Sequence, residues 1–463
     1  MKHRIYYIKV LALVVFLISS CDDFLKIEPQ QSLSDSEAFS TIEAAETALI
    51  GAYARMQSTT YYGREMLVMP EVGGDNVLIA LDNSNRFLGF SGYNLTTSNG
   101  DVTDLWFRAY HVIMQANNLI NNVDNIEGGT AEEKNQLKGE ALFIRALVHF
   151  DLVRSFGQPY LNGNGSNLGV PVMLVSEIGT PSRNSVTEVY AQIINDLSQA
   201  KDLMDNTEAP FRSSSDAANA LLSRVYLYKG DNQAAVEAAT AVIGTGNYSL
   251  ISNENYLDSW STDGTSEEIF TLKFLADEST GSSNIGRIYL KPGYGDIRPS
   301  QDIMDLYSVN SNDVRNGLIR YEEEYADHFQ FKFAGMLGVD GLASIKILRL
   351  SEVLLNRAEA NAKLGNLEEA KEDLNVLRVR AGLESIDPAN SSVLDEVLLE
   401  RRRELAFEGH RAFDIFRNGE DLKRIECNPL AECSVPFGSN LVVYPIPQDE
   451  ISANPNMVQN PGY

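Results

Sequence analysis

Two predicted helix pairs share one spacing around a glycine, and this feature limits the fold more than any other part of the sequence. In the first pair, Tyr226 lies four residues before Gly230, and Ala235 lies five residues after it. The second pair keeps the same offsets, with Asn361, Gly365 and Ala370. This spacing is typical of a tetratricopeptide repeat, in which two antiparallel helices pack closely at a small residue. Glycine is common at helix ends, so two unrelated helical hairpins are the alternative, but we favour true repeats.

Apolar residues with a helical period predict that most of the chain is α-helical. The predicted helices are Ser36–Gln57, Thr103–Val123, Ala131–Phe156, Ser185–Met204, Asp216–Lys229, Asn232–Ile243, Leu348–Leu364, Leu367–Ala381 and Ser392–Gly409. Residues that can cap a helix stand near several of the starts, namely Ser34, Ser185 and Ser215. Four segments are instead loop-like in composition: 58–102, 157–184, 245–345 and 426–463, the last with a predicted strand at Leu441–Tyr444. The sequence therefore predicts a mostly α fold with large irregular insertions, where binding residues are usually displayed.

The first residues have the pattern of a bacterial lipoprotein signal. Three basic residues lie among the first nine, and Val10–Ile18 is apolar throughout. This run suits the core of a signal peptide, whereas a membrane-spanning helix needs about 20 residues. Two small residues and Cys21 follow, as cleavage and lipid attachment to the thiol require. An ordinary secretory signal with a chance cysteine is the alternative. We predict a signal peptide at 1–20, lipidation at Cys21 and a water-soluble chain held at the membrane by acyl chains.

The chain is strongly acidic, with 64 Asp and Glu residues against 38 Lys and Arg and a formal net charge of -26. Removal of residues 1–20 takes away three positive charges and no negative ones, so the mature charge is about -29. An excess of this size repels polyphosphate, and the sequence has no basic patch with interleaved aromatic residues. We therefore expect no nucleic-acid partner.

Cysteine is scarce after Cys21, because only Cys427 and Cys433 follow it. These two residues flank a turn-rich segment in a chain that we expect to mature in an oxidising compartment. From the sequence, a local disulfide and two free thiols both remain open. A structural zinc site is disfavoured, because it needs four ligands and no histidine lies nearby. We expect neither a metal nor a cofactor.

Eight segments along the chain form a recognisable series. The N-terminal half contains "CDDFLKIEPQ", "AETALIGAY", "GGDN", "DLWFRAYHVIMQANNLI" and "GEALFIRALVHFDLVRSFGQPY". The C-terminal half contains "LRLSEVLLNRAEANAKLGN", "ERRRELAFEGHRAFDIFRNG" and "YPIPQDEISANPNMVQNPGY". Together and in this order, the segments resemble the SusD/RagB family of nutrient-binding outer-membrane lipoproteins. The resemblance covers nearly the whole chain, and no single segment carries it alone.

The resemblance implies a fold, a location and a partner. The fold has about four tetratricopeptide-like helical-hairpin repeats and a large irregular half. The location is the surface of the outer membrane, through the lipid anchor, and the partner is a SusC-like TonB-dependent transporter. The expected parts are the signal peptide at 1–20, a SusD-like N-terminal region at 21–230 with helical repeats and the first insertion, and a RagB/SusD C-terminal region at 231–463 with the second insertion and the last repeat.

The function that the resemblance implies is binding, without catalysis, of an oligosaccharide that is then delivered to the transporter. A peptide ligand, as in RagB-like proteins, is an alternative. A surface glycosidase is a second hypothesis, and a repeat scaffold that binds only its membrane partner and no small ligand is a third. Oligosaccharide binding requires flat aromatic faces and planar polar side chains, and the insertions contain both types. The candidate ligand-binding residues are Arg64, Asp75, Asn76, Arg86, Phe87, Tyr93, Trp260, Tyr289, Tyr294 and Arg298. Taken singly, each of them is better explained by a structural role, which for Asp75 with Asn76 is a turn. We assign Trp106, on a periodic helix, to the core.

A charged stretch near the C-terminus contains paired carboxylates of the kind that a glycosidase needs. Its residues are Arg401, Arg402, Arg403, Glu404, Glu408, Arg411 and Asp414. Such pairs arise by chance in a chain with 64 acidic residues. We therefore interpret the stretch as a buried or half-buried charge network and assign no catalytic residue. The sequence also lacks a phosphate-binding glycine loop, a nucleophile elbow and a His-rich metal motif.

Overall fold

Helices form most of the regular structure in the computed structural model, which describes residues 39–206 and 209–463. These ranges contain fifteen α-helices, numbered in chain order: α1 Ile42–Met56, α2 Glu65–Val72, α3 Leu88–Ser91, α4 Gly100–Asn122, α5 Ala131–Phe156, α6 Val186–Leu203, α7 Ser215–Lys229, α8 Asn232–Gly244, α9 Ile285–Tyr289, α10 Gln301–Ser308, α11 Leu350–Leu364, α12 Leu367–Arg380, α13 Val393–Leu405, α14 Arg411–Arg417 and α15 Gln448–Ala453. The predicted mostly α fold is confirmed. None of the described helices combines the length and the apolar character needed to cross a bilayer.

The long helices pack against one another in chain order. In the run from α4 to α8, each helix contacts its neighbours in the chain, and α1 lies against α4. Helix α11 packs on α8, and α12 and α13 pack on α11. Both predicted turns are present, since Gly230 has φ 82° and Gly365 has φ 85°, and each amide donates to the carbonyl three residues earlier. Ala235 and Ala370 are fully buried, so the paired helices approach closely. The number of repeats stays a prediction, as does the region boundary at 230–231, which falls within the first of these turns.

The start of the first predicted helix is wrong. Helix α1 begins at Ile42, because the Thr41 hydroxyl caps it by accepting a hydrogen bond from the Ala44 amide at 3.2 Å. The predicted helix over 36–57 is therefore too long at its N-terminal end. Ser34, predicted to cap it, lies outside the described residues.

Serine caps two of the other helices that the sequence predicted. Ser185 caps α6 as predicted, and it forms a reciprocal capping box with Glu188. The predicted cap at Ser215 is wrong by one residue, because Ser214 accepts the hydrogen bond from the Ala217 amide and Ser215 is the first residue of α7.

Two predictions near the C-terminus are also wrong. Helix α13 ends at Leu405 and not at Gly409, because Phe407 and Gly409 have φ values of 73° and 81°. The predicted strand at Leu441–Tyr444 begins instead as a turn of 3-10 helix. The Tyr444 amide then donates to the Ser155 carbonyl at 2.8 Å, so this segment is held by the end of α5 and not by a neighbouring strand.

Short strands occur in the irregular part of the chain. They are β1 Val77–Ile79, β2 Glu268–Leu272, β3 Ile297–Pro299, β4 Ile319–Glu322, β5 Asp327–Gln330, β6 Gly335–Met336, β7 Val339–Asp340, β8 Ile345–Arg349, β9 Leu422–Lys423 and β10 Ser434–Val435. Among the described residues they form five antiparallel pairs: β1–β3, β2–β8, β4–β5, β6–β7 and β9–β10. We call 58–102 the first insertion and 245–345 the second. The β2–β8 pair closes most of the second insertion at its base, against α7. The β1–β3 pair ties the first insertion to the second.

Two further contacts bear on what was expected from the sequence. Trp106 is 2% exposed and packs edge-on against Phe156, with 4.9 Å between the ring centroids, which confirms its assignment to the core. Cys427 and Cys433 form a disulfide in the loop between β9 and β10, with their Cα atoms 5.4 Å apart.

Candidate functional site

Pairing of β1 with β3 brings the two insertions into contact. Leu78 lies opposite Arg298 in this pair, and the Ala80 amide donates to the Asp296 carbonyl at 2.8 Å. The residues that follow β1 therefore lie beside those that precede β3. Four partly exposed side chains meet here, and we call them the candidate face: Arg64, Arg86, Asp101 and Tyr294. Arg86 and Tyr294 come from the two segments just described, Arg64 lies at the start of α2, and Asp101 lies in the first turn of α4.

A stacked pair of side chains forms the centre of the candidate face. The Arg86 guanidinium carbon lies 3.6 Å from the centroid of the Tyr294 ring. Arg86 is held in turn by Ser84, whose hydroxyl accepts its hydrogen bond at 2.8 Å, and Ser84 is bound to Asp296. Hydrogen bonds with the Ser282 and Arg86 side chains lower the pKa of Tyr294. The arrangement fixes a flat, partly exposed aromatic ring beside a cation, as stacking on a ligand ring requires.

Carboxyl groups border the other guanidinium of the face. Arg64 Nη2 lies 2.6 Å from Glu65 Oε1. Burial raises the pKa of Glu65 to about 7, although Arg64 acts in the opposite direction. Burial likewise raises the pKa of Asp101, on which Arg64 and Arg86 both act electrostatically. The face thus offers both donors and acceptors of hydrogen bonds around the Tyr294 ring.

Asp101 is not among the residues predicted from the sequence. An acidic residue in the first turn of a helix is expected for the stability of the helix alone, so its type and position carried no functional signal. Ser84 and Asp296, which hold Arg86, were missed for a similar reason, because only the β1–β3 pairing shows that they meet.

Asp75 and Asn76 lie inside the protein and not on the candidate face. Arg411 donates to both carboxylate oxygens of Asp75, at 2.5 and 2.9 Å. Burial opposes the charged form, but the guanidinium groups of Arg411 and Arg402 hold the pKa of Asp75 below its usual range. Asn76 is 1% exposed and binds Glu71 and Arg402. These two residues therefore join α2 to the C-terminal helices.

The aromatic candidates other than Tyr294 are also engaged in internal contacts. Phe87 is 4% exposed and Tyr289 is fully buried. Trp260 is 9% exposed and lies under Lys332, whose Nζ is 4.2 Å from the ring centroid. Tyr93 is partly buried and donates its hydroxyl to the Gly73 carbonyl at 2.5 Å. The residue types were suitable for ligand binding, but packing uses their rings.

Arg298 is the remaining candidate, and the structure buries it under the β4–β5 hairpin. Its Nε donates to Asp327 Oδ2 at 2.9 Å, and its guanidinium lies 4.3 Å from the centroid of Phe329. Of the ten candidates, the candidate face brings together Arg64, Arg86 and Tyr294.

The charged stretch near the C-terminus forms a buried network, which confirms our interpretation of it. Glu404 is fully buried and accepts hydrogen bonds from Arg349 at 2.6 Å and Arg380 at 2.5 Å. Glu408 accepts from Lys332 at 2.7 Å. Further pairs include Arg401–Asp414, Arg402–Asp75, Arg403–Glu400 and Arg411–Asp75. The network fixes α13 against β8 and α12. Throughout residues 39–206 and 209–463, no three His, Cys, Asp or Glu side chains are grouped so as to hold a metal ion.

Comparison with known proteins agrees with this architecture. Residues 23–227 match the family described as "Starch-binding associating with outer membrane", and residues 340–463 match the SusD family. A SusD-like protein of Formosa agariphila is 30% identical over 100% of both chains. The starch-binding protein SusD of Bacteroides thetaiotaomicron is 25% identical, with 74% of this chain and 75% of that protein covered. A solved SusD superfamily protein of Bacteroides thetaiotaomicron has a TM-score of 0.86 at 32% identity, covering 91% of this chain and 100% of that chain.

A relative that matches over the full length of both chains, two family matches at opposite ends of the sequence and a shared fold lead to one conclusion. The chain belongs to the SusD/RagB family.

Proposed function

We propose that this protein is a non-catalytic surface lipoprotein that binds an oligosaccharide and delivers it to a SusC-like TonB-dependent transporter. The observation that carries the binding step is the stack of Arg86 on Tyr294, which holds an aromatic ring at the surface between two insertions. A ring held in place loses little conformational freedom when a sugar ring stacks on it. The guanidinium groups and Asp101 supply the hydrogen bonds that sugar hydroxyls need.

Binding without hydrolysis is supported by the state of the charged groups. The carboxylates of the C-terminal stretch are held by arginine and lysine in the interior, where they fix helices. Support for a carbohydrate ligand also comes from the relatives, since one of them is named a starch-binding protein. The lipid anchor and the transporter rest on the sequence resemblance.

The test of the binding step is a panel of glycans and peptides, titrated by calorimetry into the full chain purified in detergent. We expect at least one oligosaccharide to bind, and Tyr294→Ala to weaken its binding about tenfold. Tyr321→Ala is the matched control, because Tyr321 is 48% exposed but packs on His328 outside the candidate face. If only peptides bind, the ligand is a peptide, as in RagB-like proteins, and not an oligosaccharide. Release of reducing sugar from a bound glycan would support the glycosidase hypothesis instead.

The anchor is tested separately from the ligand. Labelled palmitate is expected to enter the protein in a Gram-negative host and to be lost in Cys21→Ala, a position outside the described residues. Cys427→Ser is the control, because it removes a cysteine that the structure joins to Cys433. Incorporation of labelled palmitate into Cys21→Ala would contradict lipidation at this residue. The transporter partner is tested by asking whether a SusC-like transporter co-purifies with the protein.

A further inference from the structure

A cleft between α13, α14 and β9 lies apart from the candidate face. Its free volume is about 260 Å³, whereas a single water needs only about 15 Å³. The cleft therefore has room for a small ligand. Leu398 and Ile415 supply its apolar lining, and nearly all of the other residues around it are charged. None of the four residues of the candidate face borders it, so the function proposed above does not use it.

The inner part of the cleft has an excess of positive charge. Three arginines line it, with Arg401 buried and the side chains of Arg402 and Arg411 15% and 20% exposed. Two buried aspartates, Asp75 and Asp414, lie among them. Three cations meet two anions here, so one positive charge lacks a partner of its own within the cleft.

The buried network around Asp414 does not remove this excess. Asp414 accepts from Arg401 at 2.9 Å on one oxygen and from Arg417 at 2.8 Å on the other. Arg417 lies outside the cleft, and Glu359 balances its charge by accepting two hydrogen bonds at 2.6 and 2.7 Å. Asp414 therefore remains available to balance a single arginine of the cleft.

Donor groups remain unused on all three arginines. Within residues 39–206 and 209–463, no acceptor binds Nη1 of Arg402 or of Arg411, whose Nε and Nη2 groups donate elsewhere. Arg401 Nη2 is buried and also has no hydrogen-bond partner in these ranges, although Glu352 Oε1 lies 3.9 Å from it. Guanidinium N–H groups without an acceptor are costly inside a protein, so they favour an anion beside them.

The charge of Arg402 is incompletely balanced by its neighbours. Burial lowers the pKa of this residue, and Arg411 acts in the same direction, although Asp75 opposes both. A further anion beside Arg402 would therefore stabilise its charged form.

The rim of the cleft limits the ligand to a single negative charge. Glu420, Asp421 and Lys423 lie there, and all three are exposed, so two carboxylates accompany one ammonium group. Solvent and salt screen these charges, but the rim still repels a doubly charged phosphate more strongly than a carboxylate. The rim oxygens can also accept hydrogen bonds from hydroxyl groups, which an aromatic acid such as benzoate lacks.

The unused N–H groups of the inner wall suit a carboxylate, because a guanidinium group binds one through two parallel hydrogen bonds. We propose that the cleft binds a uronic acid, with its carboxylate on Arg402 and Arg411, its ring beside the apolar lining and its hydroxyls toward the rim. This site is separate from the candidate face and does not depend on the oligosaccharide proposed for that face.

The experiment is a titration of glucuronate into the full chain in detergent, followed by saturation-transfer NMR. We expect saturable binding of glucuronate, at least about tenfold weaker binding of glucose, which lacks the carboxylate, and weaker binding of acetate, which lacks the ring. Arg402→Gln is expected to weaken glucuronate about tenfold, because it removes a charged donor that contacts the carboxylate.

A second variant separates binding from a loss of structure. Glu420→Gln removes an exposed carboxylate of the rim, so it is expected to strengthen glucuronate binding about twofold, which a damaged fold would not do. Glu323→Gln is the matched control and keeps the wild-type affinity, because it removes an exposed carboxylate from the turn between β4 and β5.

Five results would overturn the proposal: no saturable binding of glucuronate, equal affinity for glucose and glucuronate, tighter binding of benzoate than of glucuronate, equal affinity of wild type and Arg402→Gln, or no gain of affinity in Glu420→Gln. Loss of glucuronate binding in Tyr294→Ala would place the uronic acid on the candidate face and would overturn it as well. If an oligosaccharide of the glycan panel binds but glucuronate does not, this proposal fails and the proposed function stands.

Discussion

Replacement of Glu404 by glutamine tests whether the buried charge network stabilises the C-terminal half. Glu404 is fully buried and contacts three guanidinium groups, those of Arg349 at 2.6 Å, Arg380 at 2.5 Å and Arg315 at 3.2 Å. Burial opposes the charge, but these three cations hold the pKa of Glu404 well below its usual range. Glutamine keeps the shape, removes the charge and turns an NH2 group toward hydrogen-bond donors.

The expected loss follows from the number of partners. Removal of one member of a buried ion pair costs about 3–5 kcal/mol. Each of the three arginines keeps at least one other carboxylate, so we expect the lower end, about 3 kcal/mol. With an unfolding entropy of about 2 cal/mol/K per residue, a chain of 463 residues loses about 1 °C in Tm for each kcal/mol, hence about 3 °C in all.

The pH dependence has a definite sign. The pKa of Glu404 is lower in the folded state than in the unfolded state, where the ordinary value is 4.5. Its contribution to stability is therefore complete above pH 4.5 and is lost as the pH falls toward the folded-state pKa. The difference between wild type and Glu404→Gln is expected to be constant near neutral pH and to shrink in acid.

Urea unfolding followed by circular dichroism measures these quantities. Glu323→Gln is the matched control, because Glu323 is an exposed carboxylate in the turn between β4 and β5, and its replacement changes stability by less than about 0.5 kcal/mol. A loss below about 1 kcal/mol in Glu404→Gln would refute the reasoning, because it would mean that water already screens the network.

Three further predictions concern local features. Burial raises the pKa of Glu65 from 4.5 to about 7, so the contribution of this residue to stability is lost as the pH rises through that window. Glu65→Gln is expected to raise the free energy of unfolding by about 2 kcal/mol at pH 8 and to have little effect at pH 4, and equal urea midpoints of the two proteins at pH 8 would contradict this. Gly230→Ala meets no atom within 4 Å but keeps φ 82°, so strain alone lowers stability by about 1 kcal/mol, whereas Gly244→Ala, with equally open space and no positive φ, is neutral in thermal melts. Cys427→Ser opens a disulfide between residues six apart and is expected to lower the free energy of unfolding by about 2 kcal/mol, with no further loss when a reductant is added.

The helical scaffold could be predicted from the sequence because its signals are local. The apolar period of α4 and the turn at Gly230 depend on residues within one or two helical turns, and both agree with the structure. Helix ends were less certain, because a left-handed Phe407 beyond α13 depends on tertiary packing.

Exposure within the insertions could not be predicted in the same way. Tyr289 and Tyr294 lie five residues apart in similar surroundings, yet the first is fully buried and the second is partly exposed. Tyr289 packs against Phe333 and Phe407, which are far from it in the chain, so the residues around it in the sequence do not show the difference. Asp75 shows the same limit, because the arginines that enclose it come from the opposite end of the sequence.

The antiparallel contact of β2 with β8 closes residues 273–344 into a loop whose two ends lie side by side. Changing the length of an exposed turn between those strands, such as the one between β4 and β5, need not alter the spacing of the long helices. Tyr294, one of the four residues of the candidate face, is carried on this loop, so proteins that share the helical frame can differ in the ring that they present to a ligand.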